Sequence, residues 1–125
     1  MPVRSLRSSV LVWPDARRVR AALDEWAGQL RTRHPEVVAV GCFGSYVRGD
    51  WGVGSDLDVV LVVAHSDQPR VRRAAHFDAG QLPVPVDLLV YTAAEWRELV
   101  AQSDRLAREV EWVAGLPPLP GAPPQ

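Results

Sequence analysis

The sequence predicts an α/β or α+β sandwich, with helices packed on a small sheet. Three observations predict it. Val19, Ala22, Leu23, Trp26, Ala27 and Leu30 recur at the i, i+3, i+4, i+7 spacing of an amphipathic helix. Residues 57–64 are apolar on both faces, the pattern of a strand central to a sheet. The order along the chain reads helix, strand, strand, helix, strand, helix, so both kinds of element share one core.

The elements follow in order. Ser9 to Trp13 is a short β-like run. Pro14-Asp15 opens the first helix, with the aspartate where it suits the helix dipole. His34-Pro35 ends that helix, because the residue before proline is pushed out of the α region. Glu36 to Phe43 reads as a strand, residues 57–64 as a second, and Val84 to Tyr91 as a third. Pro83 and Pro85 stand near the start of the third, where a missing N–H is tolerable. Residues 69–80 are weakly helical. Thr92-Ala93-Ala94-Glu95 has capping-box spacing, and Trp96, Leu99, Val100, Leu106 and Ala107 form the buried stripe of the helix it opens. Glu109 to Val113 reads as a last short strand. The expected division is one domain over residues 1–116 and a proline-rich, disordered tail over 117–125.

Composition narrows the function classes. The chain has 125 residues, 47% hydrophobic and 23% charged, the balance of a folded globule rather than a disordered chain. Lys+Arg 14 against Asp+Glu 15 leaves a formal net charge of -1, so direct nucleic-acid binding through a broad basic surface is not expected. The single cysteine, Cys42, excludes an internal disulfide framework and a cysteine-based zinc site. The apolar run Val59 to Ala64 is far short of the ~20 residues needed to span a bilayer, and no secretory leader is legible. The expected location is cytoplasmic, without membrane attachment. Every basic residue other than histidine is arginine, which rules out chemistry that requires lysine.

The informative segment runs from Gly44 to Asp58. Asp56 and Asp58 stand at i and i+2, so on a strand both side chains point to one face. They open an apolar run, where two like charges raise each other's pKa and destabilise the fold unless a cation balances them. Asp87 repeats the anomaly inside Val86-Asp87-Leu88-Leu89-Val90. If the two strands are neighbours, the three carboxylates converge, and three hard oxygen ligands suit Mg²⁺ or Mn²⁺. Gly44-Ser45 follows a strand directly: glycine permits a sharp turn, and Ser45 is a good N-cap for a short helix through Val47-Arg48. That helix start offers N–H groups and a hydroxyl to an anion. Singly these features are ordinary; a phosphate cradle facing a carboxylate pair is what a metal–nucleotide site requires.

Rival motifs fail on specifics. There is no P-loop and no lysine to make one, and no Gly-x-Gly-x-x-Gly follows a strand. An EF-hand requires an oxygen ligand where Val60 sits. Haloacid-dehalogenase-type phosphatases carry Asp-x-Asp after an apolar strand, whereas here the apolar run follows. Nucleotide-sugar glycosyltransferases have much larger domains. Arg70, Arg72 and Arg73 read as a solvated helix face. His34, His65 and His76 are scattered without ligand spacing, and Cys42 reads as a small core residue. Trp51 is placed to stack on a base or to pack over the loop, and Tyr46 reads as exposed contact surface.

Gly44-Ser45, ten intervening residues and Asp56-Leu57-Asp58 resemble the Gly-Ser-x10-Asp-x-Asp signature of the polymerase-β-like nucleotidyltransferase superfamily. The length resembles its minimal nucleotidyltransferase branch, and the resemblance covers roughly residues 15 to 113. The usual Gly-Ser-x-Ala-Arg-Gly stands here as Gly44-Ser45-Tyr46-Val47-Arg48-Gly49, with Val47 in place of alanine. Asp87 matches the third catalytic carboxylate. The resemblance implies a small mixed sheet packed with helices. It implies that Gly44 and Ser45 hold the terminal phosphates of a nucleoside triphosphate, with Arg48 supporting them or bracing the loop. Asp56, Asp58 and Asp87 would be the catalytic, metal-binding set for two Mg²⁺ ions, with Mn²⁺ as a substitute.

Members of the minimal branch are commonly antitoxins that adenylylate a HEPN-type RNase toxin. The implied function is therefore transfer of AMP from ATP to a protein hydroxyl, with such a toxin as partner. Two alternatives stand beside it. One is transfer to a small molecule such as an aminoglycoside, whose enzymes usually carry a helical domain. The other is a non-catalytic nucleotide-binding module that neutralises a partner by contact.

Overall fold

A computed structural model describes residues 15–49 and 56–117. The strand expected at Ser9 to Trp13 and the tail beyond Pro117 lie outside these residues. Helix α1 spans Ala16–Arg33, and Asp15 caps it by accepting from the Arg18 N–H at 2.8 Å. Its apolar stripe buries Val19, Leu23, Trp26, Ala27 and Leu30, the face predicted from the spacing. The helix stops at His34, whose N–H still reaches the Leu30 carbonyl at 2.8 Å.

Strand β1 is Val37–Phe43, β2 Leu57–Val63, β3 Val86–Thr92 and β4 Glu111–Gly115. They form one four-stranded sheet in the order β3-β2-β1-β4. β1 runs antiparallel to both β2 and β4, and β2 runs parallel to β3, so the sheet is mixed. β2 is interior and buried on both faces. Leu57, Val59, Leu61 and Val63 join the α1 side of the core, while Val60 and Val62 join the other side. That second side is closed by Trp96, in edge contact with Tyr91 and Trp112 at ring centroid distances of 5.9 and 5.2 Å.

Three short helical elements lie in the β1–β2 and β2–β3 connections. Helix α2 is Ser45–Arg48, and α3 is Arg70–Arg73 followed by a 3-10 turn over Ala74–His76. Residues 69–80 are thus helical only in their first half. Arg73 is not on a solvated face. It is 8% exposed and donates to the Gln68 and Val90 carbonyls and to both carboxylate oxygens of Glu95.

Thr92 caps helix α4, Ala93–Ala101, with the full capping box that its spacing predicted. The stripe expected to run through one helix to Ala107 is divided. Ser103 takes a positive φ of 55° and Asp104 caps a second helix, α5, Arg105–Glu109. Ser and Asp hydrogen-bond nearby backbone in place of the helix ladder, and here they end one helix and start the next. Leu99, Val100, Leu106 and Ala107 still pack on the Trp96 side of the core.

Candidate active site

The site forms where β1 ends and β2 and β3 begin. In the register, Asp58 pairs with Phe43 on one side and with Asp87 on the other. Neighbouring strands lie about 4.8 Å apart, so the convergence expected of Asp58 and Asp87 is met side by side. Asp56 stands just before β2, two residues from Asp58 and on the same alternation; Leu57 between them is buried in the core. Asp56 and Asp87 are exposed and Asp58 is half-buried.

Electrostatics single out Asp58. Burial pushes its carboxyl above the usual carboxylate range, and repulsion from Asp87 and then Asp56 pushes it further, while Arg48 opposes the shift. A partly desolvated carboxylate between two others is unfavourable by itself. Asp58 beside Asp87 offers hard oxygen donors of the kind that suit a divalent cation such as Mg²⁺; among the described residues only His34, Glu36 and His76 bring three donor atoms within 4.8 Å of one another.

The turn before them is shaped by glycine. Gly44 has φ +80° and ψ -151°, a conformation that L side chains rarely adopt, and a Cβ built there would overlap Asp58 Oδ2. The bare backbone of the turn therefore lies directly against the central carboxylate. Gly44, not Ser45, is the N-cap of α2; Ser45 is the first helical residue, and no side chain caps the helix. The geometric reason is that the turn requires the positive φ at the cap itself, which serine would resist.

Arg48 reaches Glu109 of α5 at 3.8 Å, and Glu109 also pairs with Arg105 at 2.5 Å. Arg48 thus braces α2 against α5 while its charge acts on Asp58. These residues line an open cleft of about 440 Å³ with Phe43, Gly44, Asp58, Leu89 and Leu106. Arg105, Leu106 and Glu109 were not anticipated as cleft residues. Their signal in the sequence is Ser103-Asp104, a cap that starts a separate helix and aims it at the end of β1.

Tyr46 is half-buried and packs on the α1 side of the core rather than standing as contact surface. Cys42 is a buried core residue, and burial pushes its thiol up to about 11. Trp51 lies outside the described residues. The three histidines are not scattered. The fold carries His34, His65 and His76 to the end of the sheet opposite the carboxylates, where His34 and His76 approach Glu36 and where His65 shares a cavity wall with Glu36 and His76.

Residues 23–112, more than half the chain, match the nucleotidyltransferase domain family. The chain belongs to that family, and its class of chemistry is nucleotidyl transfer. A candidate nucleotidyltransferase from Sulfolobus solfataricus has a similar structure, with TM-score 0.56 and 22% identity over 78% of this chain and 80% of that one. A toxin–antitoxin solved with AMP-PNP aligns at TM-score 0.50 and 20% identity, over 74% of this chain and 73% of that one. Likenesses at such identities show the shared fold. No curated protein is close enough in sequence to count as a relative. Among the described residues, no helix is long and apolar enough to cross a membrane.

Proposed function

We propose that this chain transfers AMP from ATP, in a Mg²⁺-dependent reaction, to a hydroxyl of a protein partner, and that it serves as the antitoxin of a HEPN-type RNase toxin. The observation that carries the reading is the pairing of Asp58 with Asp87 across β2 and β3, against the bare turn of Gly44. The turn offers backbone N–H groups to the terminal phosphates, with the Ser45 hydroxyl at its exit. Asp56, Asp58 and Asp87 hold the metal, and Arg48 adds positive charge at the cleft while bracing it. Bound Mg²⁺ supplies charge neutralisation at the attacking and leaving oxygens of an in-line displacement.

In that displacement the acceptor oxygen forms a bond to the α-phosphorus, the α–β bridging bond breaks, and pyrophosphate leaves with the electron pair. Asp87, exposed and beside Asp58 in the next strand, takes the acceptor's hydroxyl proton. The open, half-walled cleft favours an acceptor delivered by a partner over a small molecule, which requires more enclosure to be held. The shared fold with a toxin–antitoxin solved with AMP-PNP supports both the nucleotide and the role.

The test is label transfer from α-labelled ATP with Mg²⁺ in a host lysate, with Asp58→Asn and γ-labelled ATP alongside. One protein band labelled from the α-phosphate by wild type, and reduced about a hundredfold or more by Asp58→Asn, is the expected result. Labelling from the γ-phosphate, or no band despite Mg-ATP binding, would overturn it; the second outcome would favour inhibition by contact.

A further inference from the structure

At the other end of the sheet, three residues far apart in sequence come together. His34 closes α1, Glu36 precedes β1, and His76 ends the 3-10 turn on the way from β2 to β3. One potential ligand atom from each lies within 4.8 Å of the others. His34 Nδ1 is 3.4 Å from Glu36 Oε2. The two imidazoles meet edge to face at 5.6 Å, and both rest on Phe77, at centroid distances of 4.9 and 5.2 Å. Phe77 is buried in the core, so both rings are packed against a fixed apolar floor. Beside them opens a cavity of about 370 Å³, lined in part by Glu36, His65, Asp67 and His76. All three histidines of the chain therefore gather at this end.

We propose that His34, Glu36 and His76 form a binding site for a divalent transition metal of the Zn²⁺ type, separate from the carboxylate site. The donor chemistry distinguishes the two ends. Three carboxylates suit Mg²⁺, whereas two imidazoles and one carboxylate suit Zn²⁺ and its neighbours in the first transition row. Three protein ligands leave a fourth tetrahedral position for water, and the adjoining cavity gives that position access to solvent. A metal here ties the end of α1, the start of β1 and the β2–β3 connection to one point, so it braces the sheet at the end remote from the cleft.

Co²⁺ is the probe, because a tetrahedral site with nitrogen ligands gives it a strong visible absorption that Mg²⁺ cannot produce or abolish. The titration uses the full chain carrying Asp56→Asn and Asp58→Asn, so the carboxylate site does not compete. The expected result is one Co²⁺ per chain, displaced by Zn²⁺. His76 is exposed, so His76→Ala is expected to fold normally by circular dichroism. Its affinity should fall about tenfold or more, since even residues behind a metal's ligands matter that much. Glu36→Gln, which keeps size and shape, should weaken binding in the same way. Absence of the visible band overturns the proposal, as does a band that neither substitution changes. Neither outcome bears on nucleotidyl transfer, which His76→Ala is expected to leave intact.

Discussion

Gly44 decides whether the carboxylate site can exist. Its backbone sits at φ +80° and ψ -151°, and a side chain there would collide with Asp58 Oδ2. Gly44→Ala therefore meets two penalties, the strained backbone and the overlap. The expected cost is about 1–3 kcal/mol of stability, read by chemical denaturation, with label transfer lost even in the folded fraction. A variant that folds and transfers normally would show that the turn does not need its bare backbone. The sequence carried much of this position: a glycine followed by serine after an apolar strand marks a turn. That Gly44 and not Ser45 caps the helix was not legible, because serine has the better capping propensity. The choice is made by the close approach of Asp58, a residue fourteen positions further on.

At the scale of elements, the Arg73–Glu95 pair joins α3 to the start of α4. The guanidinium grips both oxygens of Glu95, at 2.6 and 3.2 Å, and also donates to the Val90 carbonyl at 3.1 Å. Glu95 in turn accepts from the Thr92 N–H at 2.9 Å. Arg73→Ala would leave this carboxylate with the Thr92 N–H alone and remove the Arg73 donor from the Val90 carbonyl, and is expected to cost about 2–3 kcal/mol. The Arg73 hydrogen bond, and then the backbone N–H, hold the Glu95 carboxyl below its ordinary value of 4.5 despite some opposing burial. A depressed folded-state pKa means that the stabilisation is present above the unfolded value and disappears as pH falls through the folded one. Glu95→Gln, which keeps the oxygen that caps Thr92, should cost about 1 kcal/mol at neutral pH once solvent screening of the half-exposed Glu95 is allowed for. Denaturation curves of the two proteins should converge on acidification below pH 4.5; a difference that persists there would mean that charge is not what the pair contributes. The capping box at Thr92 was legible because both of its residues are local. The partner of Glu95 was not, since a run of three arginines gives no sign of which one turns inward.

For the whole molecule, the topology gathers negative charge at one end of a sheet whose centre is apolar. Strands β1, β2 and β3, the two-sided burial of β2 and the neighbouring positions of Asp58 and Asp87 were readable from alternation and from charges that broke it. The cleft wall contributed by Arg105 and Glu109 was not, because it depends on where the chain returns after α4. Gathering the carboxylates has a cost in the metal-free protein: Asp58 is half-buried beside two like charges, and Arg48 compensates only in part. Removing that charge should therefore stabilise the fold while destroying the site, the trade expected where function requires an unfavourable arrangement. Asp58→Asn is expected to unfold at a higher temperature than wild type without Mg²⁺, by an amount equivalent to roughly 0.5–1 kcal/mol after solvent screening. Mg-ATP should reverse the order. A ligand present at a hundred times its dissociation constant adds about 2.7 kcal/mol to the protein that binds it, and Asp58→Asn, lacking the central carboxylate, should gain little. Thermal unfolding of both proteins, with and without Mg-ATP, checks both halves together. If Asp58→Asn is the less stable protein without metal, the carboxylates are satisfied by the fold itself and need no cation. If Mg-ATP raises both proteins equally, the nucleotide is held without Asp58.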